Sequence, residues 1–430
     1  MRIIVANYRY FIAGGPEKYM FKFMEAAQKM GVEVIPFSVD NPQNEETPYS
    51  KYFAKPRSKQ LLYADTKKSV GNLVGMVRAT VWNFDAENKL RKLIQDTKPD
   101  AVYILHEVNH LSPSIIRAAK REGVRVVHRI SDFFMFCPKY DFLCENEICE
   151  ACLHGDYKKA IDHKCVKGSK AGTMLRVFAM KIYAATKVFN DVNQFICTCK
   201  FSKNKLIEGG IPAEKITCVS TFIDASKITP CYENDKYFLF LGRMAHQKGT
   251  IYAIEAMRYL KETDYILKIT GQISDSEEDQ AIWQFIKDNK LEDKIVFTGF
   301  KHGKDLESLI SRATCIVCPA IWYENMPNTV IEAYAYGKPV VASRVGSLAE
   351  IVEDGKTGML FELKNSVEFS NKLRKFVDEP GLSRVLGMNA RRKVENDYAV
   401  EKHMNCVMRI LEGKEYRRGL QKAHCQSFRD

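Results

Sequence analysis

The sequence predicts an α/β protein of two domains, each built on a parallel sheet. Three observations predict it. The chain has 430 residues, too many for one ordinary hydrophobic core. Short apolar runs alternate with helical patterns in both halves, as in βαβ units. Glycine-containing loops follow several of those runs, at the place where an open parallel sheet receives its ligands. A hydrophobic fraction of 46% and a charged fraction of 27% are those of a soluble globular chain. No apolar run reaches the roughly 18 residues that a transmembrane helix needs.

Residues 3–6 form the first expected strand. Gly14 and Gly15 follow it, and residues 17–30 carry a helical pattern that stops at Gly31. Residues 32–39 read as the second strand. The glycine loop then lies at the C-terminal end of the first strand, where a missing side chain lets a substrate approach the backbone. A turn whose dihedrals require glycine is the plainer alternative. Residues 41–69 are polar, carry Pro42, Pro48 and Pro56, and read as an irregular insertion before a helix over 71–96. Strands are expected at 100–105 and 124–130, with a helix near 114–122 between them. His106, Glu107, Asn109 and His110 fall just past a strand end, so they are acceptor-site candidates, with ordinary loop polarity as the alternative. Ser131 and Asp132 end the next strand. His128, inside that strand, is expected to be a core histidine.

Five cysteines then cluster: Cys137, Cys144, Cys149, Cys152 and Cys165. The Cys149–Cys152 spacing can close on one structural zinc ion, with Cys137 and Cys165 or a histidine as further ligands. Reduced thiols in a loop are the alternative. The N-terminus reads as a buried strand and lacks a signal-peptide cleavage site, which points to the cytoplasm. In that reducing compartment the 13 cysteines of the chain suggest free thiols or metal ligands before disulfides. Residues 167–188 are basic, apolar and amphipathic. They read either as a membrane-surface helix or as a helix packed on the sheet. Strands at 194–199 and 216–219 flank a helix over 202–208, and residues 225–235 read as a polar linker.

In the second half strands are expected at 237–241, 266–270, 295–298, 315–318, 339–342 and 358–361. Gly271, Gly299 and Gly346 are expected to line a crevice, and Trp283 to belong to the core. Residues from 367 onward are helical. The expected organisation is an N-terminal acceptor-binding domain over 1–225 with a cysteine-rich insertion near 137–165, a nucleotide-binding domain over 226–390, and C-terminal helices over 391–430.

Two segments of the second half carry the chemistry. Gly242-Arg243-Met244-Ala245-His246-Gln247-Lys248-Gly249 follows a strand and precedes a helix. Arg243 and Lys248 flank this short loop, so both can reach one diphosphate, Arg through a planar fork and Lys as a point charge. Residues 322–339 read WYENMPNTVIEAYAYGKP. A helix is expected from Asn328 to Tyr336, stopped by Gly337-Lys338-Pro339. Its N-terminus offers free N–H groups and a partial positive charge to a phosphate. Glu324 lies before that helix and Glu332 within it. Solvated charges near a helix start are the alternative.

Together with Gly14-Gly15-Pro16-Glu17, these motifs resemble those of the retaining GT-B glycosyltransferases of family 4, the glycosyl transferases group 1. That family carries G-R-x(4)-K-G and E-x(7)-E motifs and an N-terminal Gly-Gly loop. The resemblance covers nearly the whole chain. It implies two Rossmann-like domains whose parallel sheets face an interdomain cleft, with terminal helices that cross back to the first domain. It implies transfer of a sugar from a nucleotide-sugar, a UDP- or GDP-sugar, to a glycan or lipid-linked acceptor, with retention by same-face departure and attack. The expected pathway is cell-surface polysaccharide or glycolipid synthesis. Glu332 would hold the donor ribose, and Gly242, Asn325, Met326, Pro327, Asn328 and Thr329 would line the nucleotide site. Gly14 and Gly15 would pass near donor and acceptor. Arg243 and Lys248 would stabilise the leaving diphosphate without a catalytic metal, Glu324 would face the sugar, and Asp132 would be catalytic. Family members often place His before that aspartate. This chain has Ser131 there, which leaves a non-catalytic sugar-nucleotide-binding relative as the rival. A phosphorylase is disfavoured, because no lysine stands in a pyridoxal-phosphate context.

A formal charge of +12 is either a solvated basic surface or an attraction to anionic substrates or an anionic membrane leaflet. Peripheral association with the inner face of the membrane is therefore an expectation. Nucleic acid is not an expected partner.

Overall fold

A computed structural model describes residues 1–56, 75, 77, 80–108, 110–242, 244–271 and 276–414. Its first sheet takes β1 (Arg2–Asn7), β2 (Glu33–Phe37), β3 (Ala101–His106) and β4 (Arg125–Arg129). A small antiparallel hairpin, β5 (Leu143–Cys144) and β6 (Glu147–Ile148), interrupts before β7 (Gln194–Cys197) and β8 (Ile216–Cys218) complete the sheet. The strand order is β2-β1-β3-β4-β7-β8, and every pairing is parallel. The second sheet takes β9 (Tyr237–Leu241), β10 (Ile266–Thr270), β11 (Ile295–Gly299), β12 (Cys315–Cys318), β13 (Val340–Ser343) and β14 (Gly358–Phe361). Its order is β11-β10-β9-β12-β13-β14, again all parallel. The expected α/β fold of two Rossmann-like halves holds.

The strands are mostly apolar because both faces of each sheet are covered. In β1, Ile4 and Ala6 enter one core while Ile3 and Val5 enter the other. In β9, Tyr237 and Leu239 face one side and Phe238 and Phe240 the other. Strand ends differ from the sequence reading by one or two residues, since propensity is weakest where a strand frays into a loop.

Helix Gly15–Lys29 buries Met20, Phe23, Met24 and Ala27 against the first sheet. Helix Val400–Leu411 enters the same core with Met404, Val407, Met408 and Leu411. Its His403 bonds the Tyr19 hydroxyl at 3.0 Å through Nε2 and the Ser220 carbonyl at 2.7 Å through Nδ1. Helix Leu382–Asp397, just before it, packs on the second sheet through Ala390 and Val394.

Two sequence expectations are corrected. Trp283 is 40% exposed, with its ring tilted against Phe297 at 4.8 Å, because its helix Glu277–Asp288 turns that face outward. The region expected as one helix over 71–96 is broken at Trp82 and Asn83: described residues 75, 77, 80 and 81 are helical, and a separate helix runs over Phe84–Thr97. Of the 41–69 insertion, residues 41–56 are described, and they hold a short 3₁₀ turn at Ser50–Tyr52.

The zinc ligand set is not assembled. Among the described residues no group of three or more His, Cys, Asp or Glu is placed to hold a metal ion. Cys165 Sγ lies 3.9 Å from Cys144 Sγ. Burial pushes the Cys137 thiol up and the Cys152 thiol up to about 12.

Candidate active site

In an open parallel sheet, ligands bind outside the C-terminal strand ends where the strand order reverses. That reversal falls between β1 and β3 in one sheet and between β9 and β12 in the other. The loops leaving β1 and β3 carry Gly14, Gly15, His106 and Glu107. The loops leaving β9 and β12 carry Gly242, Lys248, Glu324 and Asn325. The two sets face each other. A Cβ added to Gly15 would lie 3.0 Å from Asn328 Nδ2, so the glycine loop of the first half touches the helix start of the second.

The loop after β9 closes tightly on the loop after β12. Gly249 has φ +68°, and a Cβ there would stand 1.9 Å from the Pro319 carbonyl oxygen. Only glycine permits that approach. The Ile321 amide donates to the Gln247 carbonyl at 3.0 Å and ties the loops together. Lys248 thereby reaches Glu324: Nζ lies 2.5 Å from Oε1, over the Trp322 ring at 5.4 Å. The Trp322 indole N–H donates to the same carboxylate oxygen at 2.8 Å. These two residues, expected at the diphosphate and at the sugar of a donor, are ion-paired here. Arg243 lies outside the described residues.

Helix Asn328–Ala335 starts after Pro327, and no side chain caps it. Its first turn, Asn328 and Thr329, therefore keeps free donor capacity. Glu332, one turn on, shares a small cavity with Lys18, Lys22, Thr221 and Asn328. Burial raises its carboxyl above the usual range, against the opposing pull of Lys18 and Lys22 from the first half. Asn325 does something its sequence position did not announce. Its Nδ2 donates to the Ile130 carbonyl at 2.8 Å, and its Oδ1 accepts from the Thr198 hydroxyl at 2.9 Å. Met326 Sδ accepts from the Thr221 amide at 3.3 Å. The motif loop thus binds across the cleft through its side chains.

On the opposite wall, Asp132 Oδ2 lies 3.1 Å from His106 Nε2. Burial pulls the His106 pKa down, but Asp132 with other carboxylates outweighs it and the net shift is upward. The histidine missing beside Asp132 in sequence is therefore met in space from the neighbouring strand. The signal was present: His106 sits at the C-terminal end of β3, next to β4. The Tyr8 ring stands edge-on to His106 at 4.8 Å and stacks on His110 at 4.9 Å. Glu107 is not open to an acceptor as expected. It is buried and pairs with His128 Nε2 at 3.0 Å, which holds its carboxyl below the usual range despite the opposing burial. His128 is the interior histidine expected. Asn109 lies outside the described residues.

Two further contacts cross the cleft. Glu350, in helix Leu348–Ile351, accepts from the Lys200 and Phe201 amides at 2.8 and 2.9 Å, capping helix Lys200–Glu208 of the other half. From the cysteine-rich insertion, Glu150 accepts from the Tyr323 hydroxyl at 2.7 Å. None of these partners shares a sequence motif.

The chain matches the family model described as Glycosyltransferase Family 4 over residues 13–227, half of its length, and the model described as Glycosyl transferases group 1 over residues 222–393. It is 30% identical over 229 residues to an uncharacterized glycosyltransferase of Methanocaldococcus jannaschii, covering 53% of this chain and 60% of that protein. It is 24% identical over 262 residues to the UDP-Gal:alpha-D-GlcNAc-diphosphoundecaprenol alpha-1,3-galactosyltransferase of Escherichia coli, covering 59% and 66%. The chain spans between 42% and 66% of the length of these and neighbouring curated relatives. Its fold is that of sucrose-phosphate synthase from Thermosynechococcus elongatus, with a TM-score of 0.69 at 17% identity over 96% of this chain and 98% of that one. An Anabaena protein solved in complex with UDP and glucose superposes with a TM-score of 0.66 at 15% identity, over 96% of this chain and 100% of that one.

Proposed function

The chain belongs to the glycosyl transferases group 1 with the GT-B fold, and from that premise we propose that it transfers a sugar from a nucleotide-sugar to an acceptor held in the N-terminal half, with retention at the sugar carbon. One observation carries the reading: the switch points of two doubly wound sheets face each other, with Gly15 against Asn328 and the Lys248–Glu324 pair between them.

The donor lies on the second half. Its ribose hydroxyls bond Glu332, and its diphosphate meets the uncapped start of helix Asn328–Ala335, with Gly242 and residues 325–329 around it. Lys248 and Arg243 neutralise the charge that grows on the diphosphate as the sugar–phosphate bond breaks. The acceptor oxygen bonds the same sugar carbon from the same face, and its proton leaves with the nucleoside diphosphate. Glu324 turns its carboxylate to the sugar, while Gly14 and Gly15 bring backbone close to donor and acceptor. Asp132, with His106 behind it, meets the acceptor. UDP is the favoured nucleotide, since the Anabaena neighbour was solved with it. The Escherichia coli relative's name specifies a diphosphoundecaprenol-linked acceptor, which supports a lipid-linked or glycan acceptor and a place in cell-surface polysaccharide or glycolipid synthesis.

The charge work needs no divalent metal in this scheme. Activity is expected to survive EDTA, and a prompt loss restored by Mg²⁺ or Mn²⁺ would sink that part. The rival, a non-catalytic sugar-nucleotide binder, leaned on Ser131; His106 at 3.1 Å from Asp132 weakens its case. Release of nucleoside diphosphate from candidate nucleotide-sugars, measured with and without glycan and lipid-linked acceptors, tests the proposal. Tight binding of a donor without acceptor-stimulated release would favour the rival.

A further inference from the structure

Cys197 and Cys218 are the last residues of β7 and β8, and the register of these parallel strands sets them directly opposite each other. Residues so placed stand about 5 Å apart at Cα, within the span of roughly 4.4–6.8 Å that a disulfide bridges. Both side chains join the same core, their sulfurs lie 3.2 Å apart, and both thiols are free.

The two thiols are not equivalent. Cys197 is wholly buried and Cys218 is half-buried. The hydrogen bond from Cys197 holds the Cys218 thiol below its ordinary value, against burial and Glu350, and the positive Lys203 and Lys200 of helix Lys200–Glu208 act the same way. That contact and burial push the Cys197 thiol up. One sulfur is thus favoured as the thiolate and reachable, and the other is a protected thiol beside it. An attacking and a resolving cysteine divide their work in this manner. Neighbouring cysteines differ. Burial pushes the Cys199 thiol up to about 12. The Cys144 and Cys165 sulfurs are 3.9 Å apart, and burial pushes both of those thiols up.

We propose that Cys197 and Cys218 form a reversible dithiol–disulfide site, oxidised by hydrogen peroxide, at the edge of the interdomain cleft. The Cys218 thiolate attacks one peroxide oxygen, the O–O bond breaks, and a sulfenic acid forms as hydroxide leaves. The Cys197 sulfur then attacks the sulfenic sulfur. The S–S bond forms, and the displaced hydroxyl leaves as water with the Cys197 proton. The hydroxide takes up the proton that Cys218 had lost, so two thiols are oxidised and one peroxide is reduced to two waters. A dithiol reductant reverses the step by thiol–disulfide exchange.

The site can act on the cleft because both strand ends hold the motif loop of the second half. Just past Cys197, the Thr198 hydroxyl donates to Asn325 Oδ1 at 2.9 Å and the Cys199 thiol donates to the Asn325 carbonyl at 3.3 Å. Just past Cys218, the Thr221 amide donates to Met326 Sδ at 3.3 Å. Drawing the two sulfurs into a covalent bond shifts both anchors of residues 322–328. A loss of nucleotide affinity follows only on the donor reading above, and that consequence alone rests on it.

The test treats the full chain with hydrogen peroxide at equal molarity, then alkylates, digests and maps its peptides by mass spectrometry. The expected product is a Cys197–Cys218 crosslink that forms before any Cys144–Cys165 crosslink and is lost with dithiothreitol. Cys218→Ser is expected to abolish it. Cys197→Ala is expected to leave Cys218 as a sulfenic acid that dimedone labels. Hydrogen exchange over residues 322–328 is expected to quicken in the oxidised parent and in neither variant after the same treatment. Absence of the crosslink, or a crosslink that leaves this exchange unchanged, overturns the proposal. Calorimetry with UDP separates it from the donor reading. Oxidation is expected to weaken UDP binding by at least about 5-fold, the low end of a coupling between sites. Crosslink and faster exchange with unchanged UDP affinity support the dithiol site and remove residues 325–329 from the donor site. Circular dichroism screens the variants, and if Cys197→Ala is unfolded, the half-buried Cys218→Ser carries the comparison.

Discussion

Glu332 combines a buried carboxyl with a site where a ribose would bond, so its energetic effect has two opposite signs. Its folded pKa is raised by burial. The folded state then binds its proton more readily than the unfolded chain, and stability falls as pH rises through the raised value. Glu332→Gln removes that penalty. The substituted protein, without ligand, is expected to melt higher than the parent near pH 7, and the difference should close as pH drops below the carboxylate range. The same substitution is expected to weaken nucleotide binding in calorimetry. A melting difference that persists at acid pH would sink the first expectation, and equal nucleotide affinity would remove the ribose role. Lys248 tests the other end of the donor. Lys248→Ala is expected to lower turnover by roughly 10²-fold or more, on the scale of losing one charge-stabilising donor. It also strands Glu324, so part of any loss could be structural. Breaking a fully buried pair costs about 3–5 kcal/mol, and this partly exposed lysine should cost less. The double substitution Lys248→Ala with Glu324→Ala should recover melting temperature but not turnover. Recovery of turnover would mean that Lys248 serves the fold and not the diphosphate.

Helix Val400–Leu411 shows how one element can hold two parts of the chain. The two residues that link it to the preceding helix, Tyr398 and Ala399, do not explain its place; the apolar face of Met404, Val407 and Leu411 does, buried against the core of the first sheet. His403 is fixed there between Tyr19 and Ser220, and burial lowers its pKa from 6.5 to about 3. Unfolded, the imidazole takes a proton near pH 6.5. Folded, it does not until far lower pH. The unfolded state therefore binds more protons across that interval, and stability falls as pH drops from about 6.5 toward 3. His403→Asn is expected to flatten the acid branch of the stability curve in denaturant titrations at pH 7 and pH 5. An unchanged pH slope would show that other groups dominate acid unfolding. Helix Lys170–Thr186 divides its faces. Thr173, Arg176, Val177, Met180 and Tyr183 are buried, while Met174 and Phe178, one turn apart, are 52% and 55% exposed beside the exposed Lys170 and Lys181. The alternatives left by its sequence, packing or membrane contact, are thus compatible on opposite faces.

At the scale of the whole molecule, that outward face and the +12 charge motivate a reversible membrane contact through the N-terminal half. Among the described residues no helix is long and apolar enough to cross a membrane. Each basic group near an anionic surface contributes on the order of 1 kcal/mol, screened within a Debye length. Liposome co-sedimentation is expected to pellet the protein with anionic but not neutral lipid, and less as salt rises. Equal, negligible pelleting with both would leave a soluble acceptor as the better reading. The alternation of apolar strands and helices, the glycine loops and the two motifs of the second half could be read along the chain, because each depends on residues a few positions apart. Gly249 and Glu332 belong to that legible part: one is demanded by a tight loop, the other spaced by a helix. The rest is set by distance in space. His106 finds Asp132 across adjacent strands, Asn325 reaches Ile130 and Thr198 of the other half, and Glu350 caps a helix 150 residues earlier in the chain. The cysteines of the insertion are close in sequence, yet among the described residues no three of their thiols and neighbouring His, Asp or Glu side chains are placed to hold a metal ion. Sequence by itself determined the two sheets and the loops at their switch points, since local periodicity and glycine dihedrals act within one element. Only the tertiary structure decided which side chains meet in the cleft, since pairing and burial arise when distant strand ends are brought together.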